Sequence, residues 1–348
     1  MPLLRHDLPL HRRETEGASL KILIVAPSWI GDTIMMQPLL MRLKARDPAA
    51  EIHVLAPAWS APLLSRMPEV AAVIENPFPH GAFDWAGRKA LGRRLQAVGF
   101  RRAYVLPNSW KSALVPFFAK IPQRIGYSGE ARFILLNRRL PNSTLPRLVD
   151  RYAALAGEFP APTPEPRLVS TPEQQRQARE ALGLPLDAHP IVFCPGAEYG
   201  PAKRWPAHHF AALAQKIGAD GTAVWLIGSQ KDAPIGAEIA RSSQGTALDL
   251  CGRTTLEQAI DLIAGARAVV TNDSGLMHVA AALDRPTIAL YGSSSPTYTP
   301  PLSRHAKILS LRLPCSPCFK RECPLAPPDT LRCLEDLSPE HVLAALNR

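Results

Sequence analysis

The sequence predicts an α/β protein built from two doubly wound parallel sheets with a cleft between them. Three observations carry that expectation. Short apolar runs alternate with helix-length segments along the chain, the pattern of a parallel sheet covered on both faces. A stretch with five prolines, FPAPTPEPRLVSTPEQ (159–174), breaks this rhythm near the middle and reads as an interdomain linker. Finally, the loops after five of the apolar runs carry glycine or polar residues that a purely structural turn does not need. Ligands of such sheets bind at the carboxyl ends of the strands, where these loops lie.

In chain order, the first half offers strands at KILIVA from Lys21, EIHVLA from Glu51, AAVIE from Ala71 and AYVLP from Ala103. The second half offers IVFCPG from Ile191, TAVWLIG from Thr222, ARAVVTND from Ala266 and PTIALYG from Pro286, with helices over 206–218 and 255–264. The expected organisation is a loose extension over 1–19, a first domain over 20–165 and a second over 172–348.

With 46% apolar and 20% charged residues, the chain has the composition of a folded globular protein. No run of about 18 apolar residues suggests a membrane span. The first twenty residues, MPLLRHDLPLHRRETEGASL, lack the apolar centre of a secretory signal, so a cytoplasmic location is expected. The net charge of +10 suits an anionic lipid surface, a phosphorylated substrate or nucleic acid. No aromatic stacking set or known binding motif supports nucleic acid. The 36 prolines fall mainly in the connections and point to rigid loops.

Familiar devices are missing. There is no G-x-G-x-x-G after the first strand, no phosphate-loop G-x-x-x-x-G-K-[ST], no nucleophile-elbow G-x-S-x-G and no Asp-x-Asp pair to bridge a metal to a sugar nucleotide. Other loops must carry the chemistry. In SWIGDT, Asp32 follows Gly31 at the bend between strand and helix, either as a helix N-cap or as a base aimed at a substrate. In TNDSGLMHVAAAL, a strand runs through Asp273, Ser274 and Gly275 into a helix whose first turn is a ready anion site, and His278 follows one turn on. The plain alternative is a capped helix with an ordinary histidine. In CPGAEYGPAKRWP, Lys203 is a compact cation suited to a diphosphate. In IGSQKDAP, Asp232 is placed either to accept from ribose hydroxyls or to cap its helix.

APSWIGDTIMMQPLL, PGAEYGPAKRWP, TNDSGLMHVAAAL and CSPCFKRECPL, in this order, resemble the ADP-heptose:lipopolysaccharide heptosyltransferases, most closely the branch that adds the second heptose of the inner core. The likeness runs from Lys21 nearly to the end of the chain. It implies a GT-B fold with two Rossmann-like domains and an inverting transfer without a required metal or cofactor. The donor it implies is ADP-L-glycero-D-manno-heptose. The implied acceptor is lipid A bearing Kdo and heptose, met in peripheral contact with the cytoplasmic face of the inner membrane. Matched by position, Asp32 is the general base, Gly31 leaves room for the acceptor sugar, and Lys203 binds the diphosphate. Asp232 then contacts the ribose, while Asp273, Ser274, Gly275 and His278 form the donor loop. Lys111, Arg124, Arg132 and Arg138 are the basic candidates for the anionic acceptor. The alternatives are another GT-B transferase, such as one adding the first or third heptose, or a sugar-nucleotide enzyme of other specificity.

The cysteines stand apart from this chemistry. Cys194 and Cys251 read as buried apolar residues. Cys315, Cys318, Cys323 and Cys333 follow C-x2-C-x4-C-x9-C, which leaves a structural metal, plain thiols and a disulfide open.

Overall fold

The computed structural model describes residues 19–79 and 81–347; of the extension expected over 1–19, residues 1–18 lie outside them. Among the described residues, twelve strands form two six-stranded sheets. The first contains β1 (Lys21–Val25), β2 (Glu51–Ala56), β3 (Val70–Glu75), β4 (Arg102–Val105), β5 (Gln123–Tyr127) and β6 (Arg138–Leu140), ordered β3-β2-β1-β4-β5-β6. The second contains β7 (Ile191–Cys194), β8 (Val224–Leu226), β9 (Ala247–Asp249), β10 (Ala268–Asn272), β11 (Thr287–Leu290) and β12 (Ala306–Leu309), ordered β12-β11-β10-β7-β8-β9. Every strand pair is parallel.

Both sheets follow one doubly wound plan. Strand order reverses beside the first strand of each half: β1 lies between β2 and β4, and β7 between β8 and β10. Loops leaving β1, β4, β7 and β10 therefore open onto the crevices where such sheets take ligands. Sequence explains the central positions. KILIV is buried from Ile22 to Val25, and AVVTN of β10 is buried throughout, as strands covered on both faces require.

All eight expected strands are present, together with β5, β6, β9 and β12, which have no apolar run to announce them. The RRL of β6 is largely exposed at a sheet edge, so a cluster that reads as a basic surface patch is also a strand.

The proline-rich connection is not a loose linker. The Gln37 amide brackets Arg167, donating to its carbonyl at 2.7 Å and accepting from its N–H at 2.8 Å. The Leu168 N–H donates to Ala282 O and the Val169 N–H to Arg66 O, so the strand-like segment is bonded to both halves. Beyond it, Thr171 caps the helix Pro172–Ala181 in a capping box with Gln174. Beside this crossing lies a buried ion pair, Arg66 Nη2 to Asp261 Oδ2 at 2.8 Å, and Ser170 donates to the other Asp261 oxygen. One apolar core runs across both halves here, joining Leu39, Leu63 and Leu168 to Ile260, Leu262 and Val279.

Candidate active site

After β1 the chain turns through Pro27 and Ser28 into the helix Ile30–Met35. Trp29 holds the N-cap position with no side-chain cap bond, and Asp32 stands in the first turn. Asp32 is therefore not the N-cap. It borders a cavity of about 1010 Å³ that the first sheet's carboxyl ends enclose, and Tyr298 reaches in from the second half. Burial pushes the Asp32 carboxyl from the ordinary 3.8 to about 6, against the pull of the Lys203 ammonium. That influence across the cleft links a residue of the first half to one of the second.

After β10, Ser274 is the N-cap of the helix Gly275–Ala282, and its hydroxyl makes no cap bond. The two helices that follow β1 and β10 meet at their first turns. A Cβ on Gly31 would sit 2.7 Å from Cδ2 of His278, and one on Gly275 would sit 2.8 Å from Cβ of Ile30. Both glycines are where they are because only hydrogen fits. The expectation that Gly31 leaves room for an acceptor sugar needs correction: the His278 ring fills that space. Desolvation holds the imidazole near 4, so it is neutral at pH 7.

Lys203 closes the short turn Pro201–Lys203, and its ammonium lies 2.5 Å from Asp273 Oδ2 and 5.2 Å from the Tyr199 ring centre. Asn272 locks the same two loops together, which its sequence neighbours do not signal. Fully buried, it donates to Pro195 O at 2.7 Å and accepts from Trp205 N–H at 2.9 Å. Lys203, Asp273, Ser274 and His278 thus converge opposite Asp32.

Asp232 stands in the neighbouring loop after β8. Its Oδ2 accepts from the Ser229 N–H and hydroxyl in a capping box around the turn Gln230–Asp232, in which Ser229 is the N-cap; at the start of the helix Ala233–Ser242 the Asp232 side chain makes no cap bond. Its Oδ1 faces Arg204 at 4.0 Å. Its carboxylate fills the space a Cβ on Gly196 would need, and its own Cβ lies 2.8 Å from where one on Gly228 would sit.

Of the four basic acceptor candidates, Lys111 alone borders the cavity. Arg124 donates to the carbonyls of Leu135 and Ile121, and Arg132 to those of Pro107 and Tyr127; both guanidinium groups brace the backbone. Arg138 projects from the edge strand β6. Arg151 and the buried Tyr152 border the cavity as well, and neither stands in a recognisable motif. No disulfide joins any of the six cysteines.

The sequence pattern of glycosyltransferase family 9 (heptosyltransferase) matches residues 88–328. Lipopolysaccharide heptosyltransferase 2 of Salmonella typhimurium is 49% identical over 307 residues, covering 84% of this chain and 88% of that one. The Escherichia coli protein of the same name is 46% identical over 343 residues, covering 94% and 98%. The solved structure of Escherichia coli ADP-heptose lipopolysaccharide heptosyltransferase II superposes with a TM-score of 0.84 at 44% identity, across 94% of this chain and 98% of its own. The two-sheet arrangement is accordingly the GT-B fold. With the pattern and these relatives spanning most of its length, the chain belongs to glycosyltransferase family 9, the heptosyltransferases.

Proposed function

We infer that this protein is a glycosyltransferase that moves heptose from ADP-heptose onto the first heptose of the lipopolysaccharide inner core, the heptosyltransferase II reaction. Near-full-length similarity to heptosyltransferase 2 proteins is the observation that carries this reading.

The transfer inverts the sugar. The acceptor hydroxyl oxygen attacks the anomeric carbon, the bond from that carbon to the diphosphate oxygen breaks, and ADP leaves with the electron pair. The hydroxyl proton passes to the Asp32 carboxylate. A base with a pKa of about 6 is largely ionised at neutral pH and still basic enough to accept a proton. Lys203 and the N–H groups at the start of the helix Gly275–Ala282 stabilise charge on the departing diphosphate. Neutral His278 offers an N–H to the same ligand, while Asp232 uses its Oδ1 for the ribose. No cofactor enters the mechanism, and the positive groups take the part that a metal plays at paired carboxylates. The cavity beside Asp32 receives the acceptor's sugars. No described helix is long and apolar enough to cross a membrane. The reading is completed by peripheral contact with the lipid-linked acceptor at the cytoplasmic face of the inner membrane.

The test is turnover with ADP-heptose and acceptors carrying zero or one heptose. One heptose should be added only to the acceptor that already bears one, with inversion at the anomeric carbon. Transfer to the heptose-free acceptor instead would overturn the assignment. A strict requirement for added magnesium after EDTA treatment would overturn the metal-free mechanism.

A further inference from the structure

Phe83, Trp85 and Trp110 stand together at the rim of the cavity that Asp32 borders. Phe83 and Trp110 line it, and Phe83 and Trp85 are 52% and 44% exposed. Their ring centres are 6.3 Å (Phe83–Trp85), 6.0 Å (Phe83–Trp110) and 6.0 Å (Trp85–Trp110) apart, with interplanar angles between 16° and 24°. In a stacked column one separation would be the sum of the other two. Three nearly equal separations with near-parallel planes exclude a single column: the rings form a compact offset cluster whose faces are turned nearly the same way.

The rings are held before any ligand arrives. Phe83 follows β3 and Trp110 follows β4, so they come from separate loops. Arg88, only 5% exposed, joins those loops: Nε donates to Phe83 O at 2.6 Å, Nη2 to Ala82 O at 3.0 Å and Nη1 to Lys111 O at 3.3 Å. Its guanidinium also lies 4.2 Å from the Phe78 ring centre. From the loop after β5, Glu130 accepts the backbone N–H of Trp110 at 2.6 Å. An exposed aromatic surface fixed this firmly beside a polar cavity has the character of a recognition site.

Resting on the acceptor reading above, we propose that these three rings are a stacking platform for a pyranose ring of the acceptor, and that Arg88 is the residue that positions it. The apolar C–H face of a pyranose lies flat on such faces and gains dispersion contacts across its area. Its hydroxyl groups meet Asn108, Ser109, Asn142 and Ser143 on the cavity wall, and a sugar carboxylate meets Lys111. This amide- and hydroxyl-lined wall favours a sugar over an acyl chain. Pre-formed loops spare the ordering cost that a flexible site would carry.

The experiment measures steady-state kinetics with the complete glycolipid acceptor and with its delipidated core oligosaccharide. Phe83→Ala removes one exposed ring and should raise the acceptor KM roughly tenfold for both, the upper range for one aromatic face. Donor KM and kcat at saturation should stay within about twofold of wild type. Trp110→Phe should retain most acceptor affinity where Trp110→Ala does not. Arg88→Lys, which keeps the charge but not the three-pronged grip, should raise the acceptor KM alone. An unchanged acceptor KM in Phe83→Ala, beside a wild type that turns over, would overturn the platform. An effect confined to the lipidated acceptor would overturn the sugar and assign the rings to the lipid. If the wild type transferred no heptose, the reaction assignment would fail, and the platform would then be judged by binding. Tryptophan fluorescence of wild type and Phe83→Ala titrated with the delipidated core would settle it, equal affinities being the negative result.

Discussion

The ammonium of Lys203 and the carboxylate of Asp273 lie 2.5 Å apart and tie the loop after β7 to the end of β10. The cation assigned to the diphosphate is therefore already paired, and a ligand must share it with Asp273. The prediction is that Asp273 acts mainly by holding Lys203 in place. Lys203→Met should weaken ADP binding roughly tenfold to a hundredfold, the scale of a charged hydrogen bond. Asp273→Asn should weaken it in wild type but have little effect once Lys203 is gone, because its partner is absent. Calorimetric titration of the two single variants and the double variant reads the coupling. ADP affinity unchanged in Lys203→Met would remove Lys203 from the donor site.

Contact between Gly31 and His278 makes a second prediction. Gly31→Ala puts a methyl group 2.7 Å from the imidazole, in an interface between the two halves. Overpacking of this kind costs about 1–3 kcal/mol. Relief by opening the cleft would also separate Asp32 from the donor, so kcat should fall together with the melting temperature. Gly31→Ala with His278→Ala should regain much of the stability, since the clashing ring is gone. If the double variant were as unstable as the two losses summed, the contact would not be the cause.

How much of this was legible in the sequence follows from burial. β1, β7, β10 and β11 are covered on both faces, so their apolar runs stand out. By contrast, β6 and β12 are edge strands with exposed residues, and β5 carries Gln123 and Arg124 at its start. Their place in the sheet comes from neighbours and not from their own pattern. Asp32, Lys203, Asp273 and Ser274 stood out as candidates because each lies in a polar or glycine-bearing loop after an apolar run. Loop-to-loop relations were not legible: Asn272 bridging to Pro195 and Trp205, Arg88 gripping Phe83, and His278 filling the space at Gly31 join residues with no common spacing. For Asp232, sequence left capping and ribose binding open because both use the same carboxylate at the same turn; the structure commits one oxygen to Ser229 and none to the helix Ala233–Ser242.

Stability between the halves should depend on Arg66. Its pair with Asp261 is buried on both sides, and burial raises the Asp261 carboxyl despite the guanidinium. Arg66→Met keeps most of the bulk but leaves an uncompensated buried carboxylate, at a cost of about 3–5 kcal/mol. Arg66→Met with Asp261→Asn should recover a large part of that loss. Chemical denaturation at pH 7 measures both. A loss in the single variant under about 1 kcal/mol would show that solvent reaches the pair and that it does not lock the crossing.

Asp32 ties catalysis and stability to one proton. Its pKa in the fold is about 6 against an ordinary 3.8, so the fold favours the protonated form. The stability penalty is absent below about pH 3.8, grows as pH rises and is complete above about 6. At about 1.4 kcal/mol per pKa unit, the full penalty is on the order of 3 kcal/mol. Asp32→Asn removes the charge with little change in shape. It should stabilise the protein at pH 7.5 by up to about that amount, and not at pH 3.5. The same substitution removes the proton acceptor, so turnover should fall about 10²- to 10⁴-fold while ADP binding is kept. In wild type, kcat/KM should fall about tenfold per pH unit below 6 as the carboxylate is protonated. Lys203→Met should move that limb to higher pH, because the Lys203 charge pulls the Asp32 value down. An Asn variant that kept near-normal turnover, or that lost stability at pH 7.5, would mean that Asp32 serves the fold and that another group takes the proton.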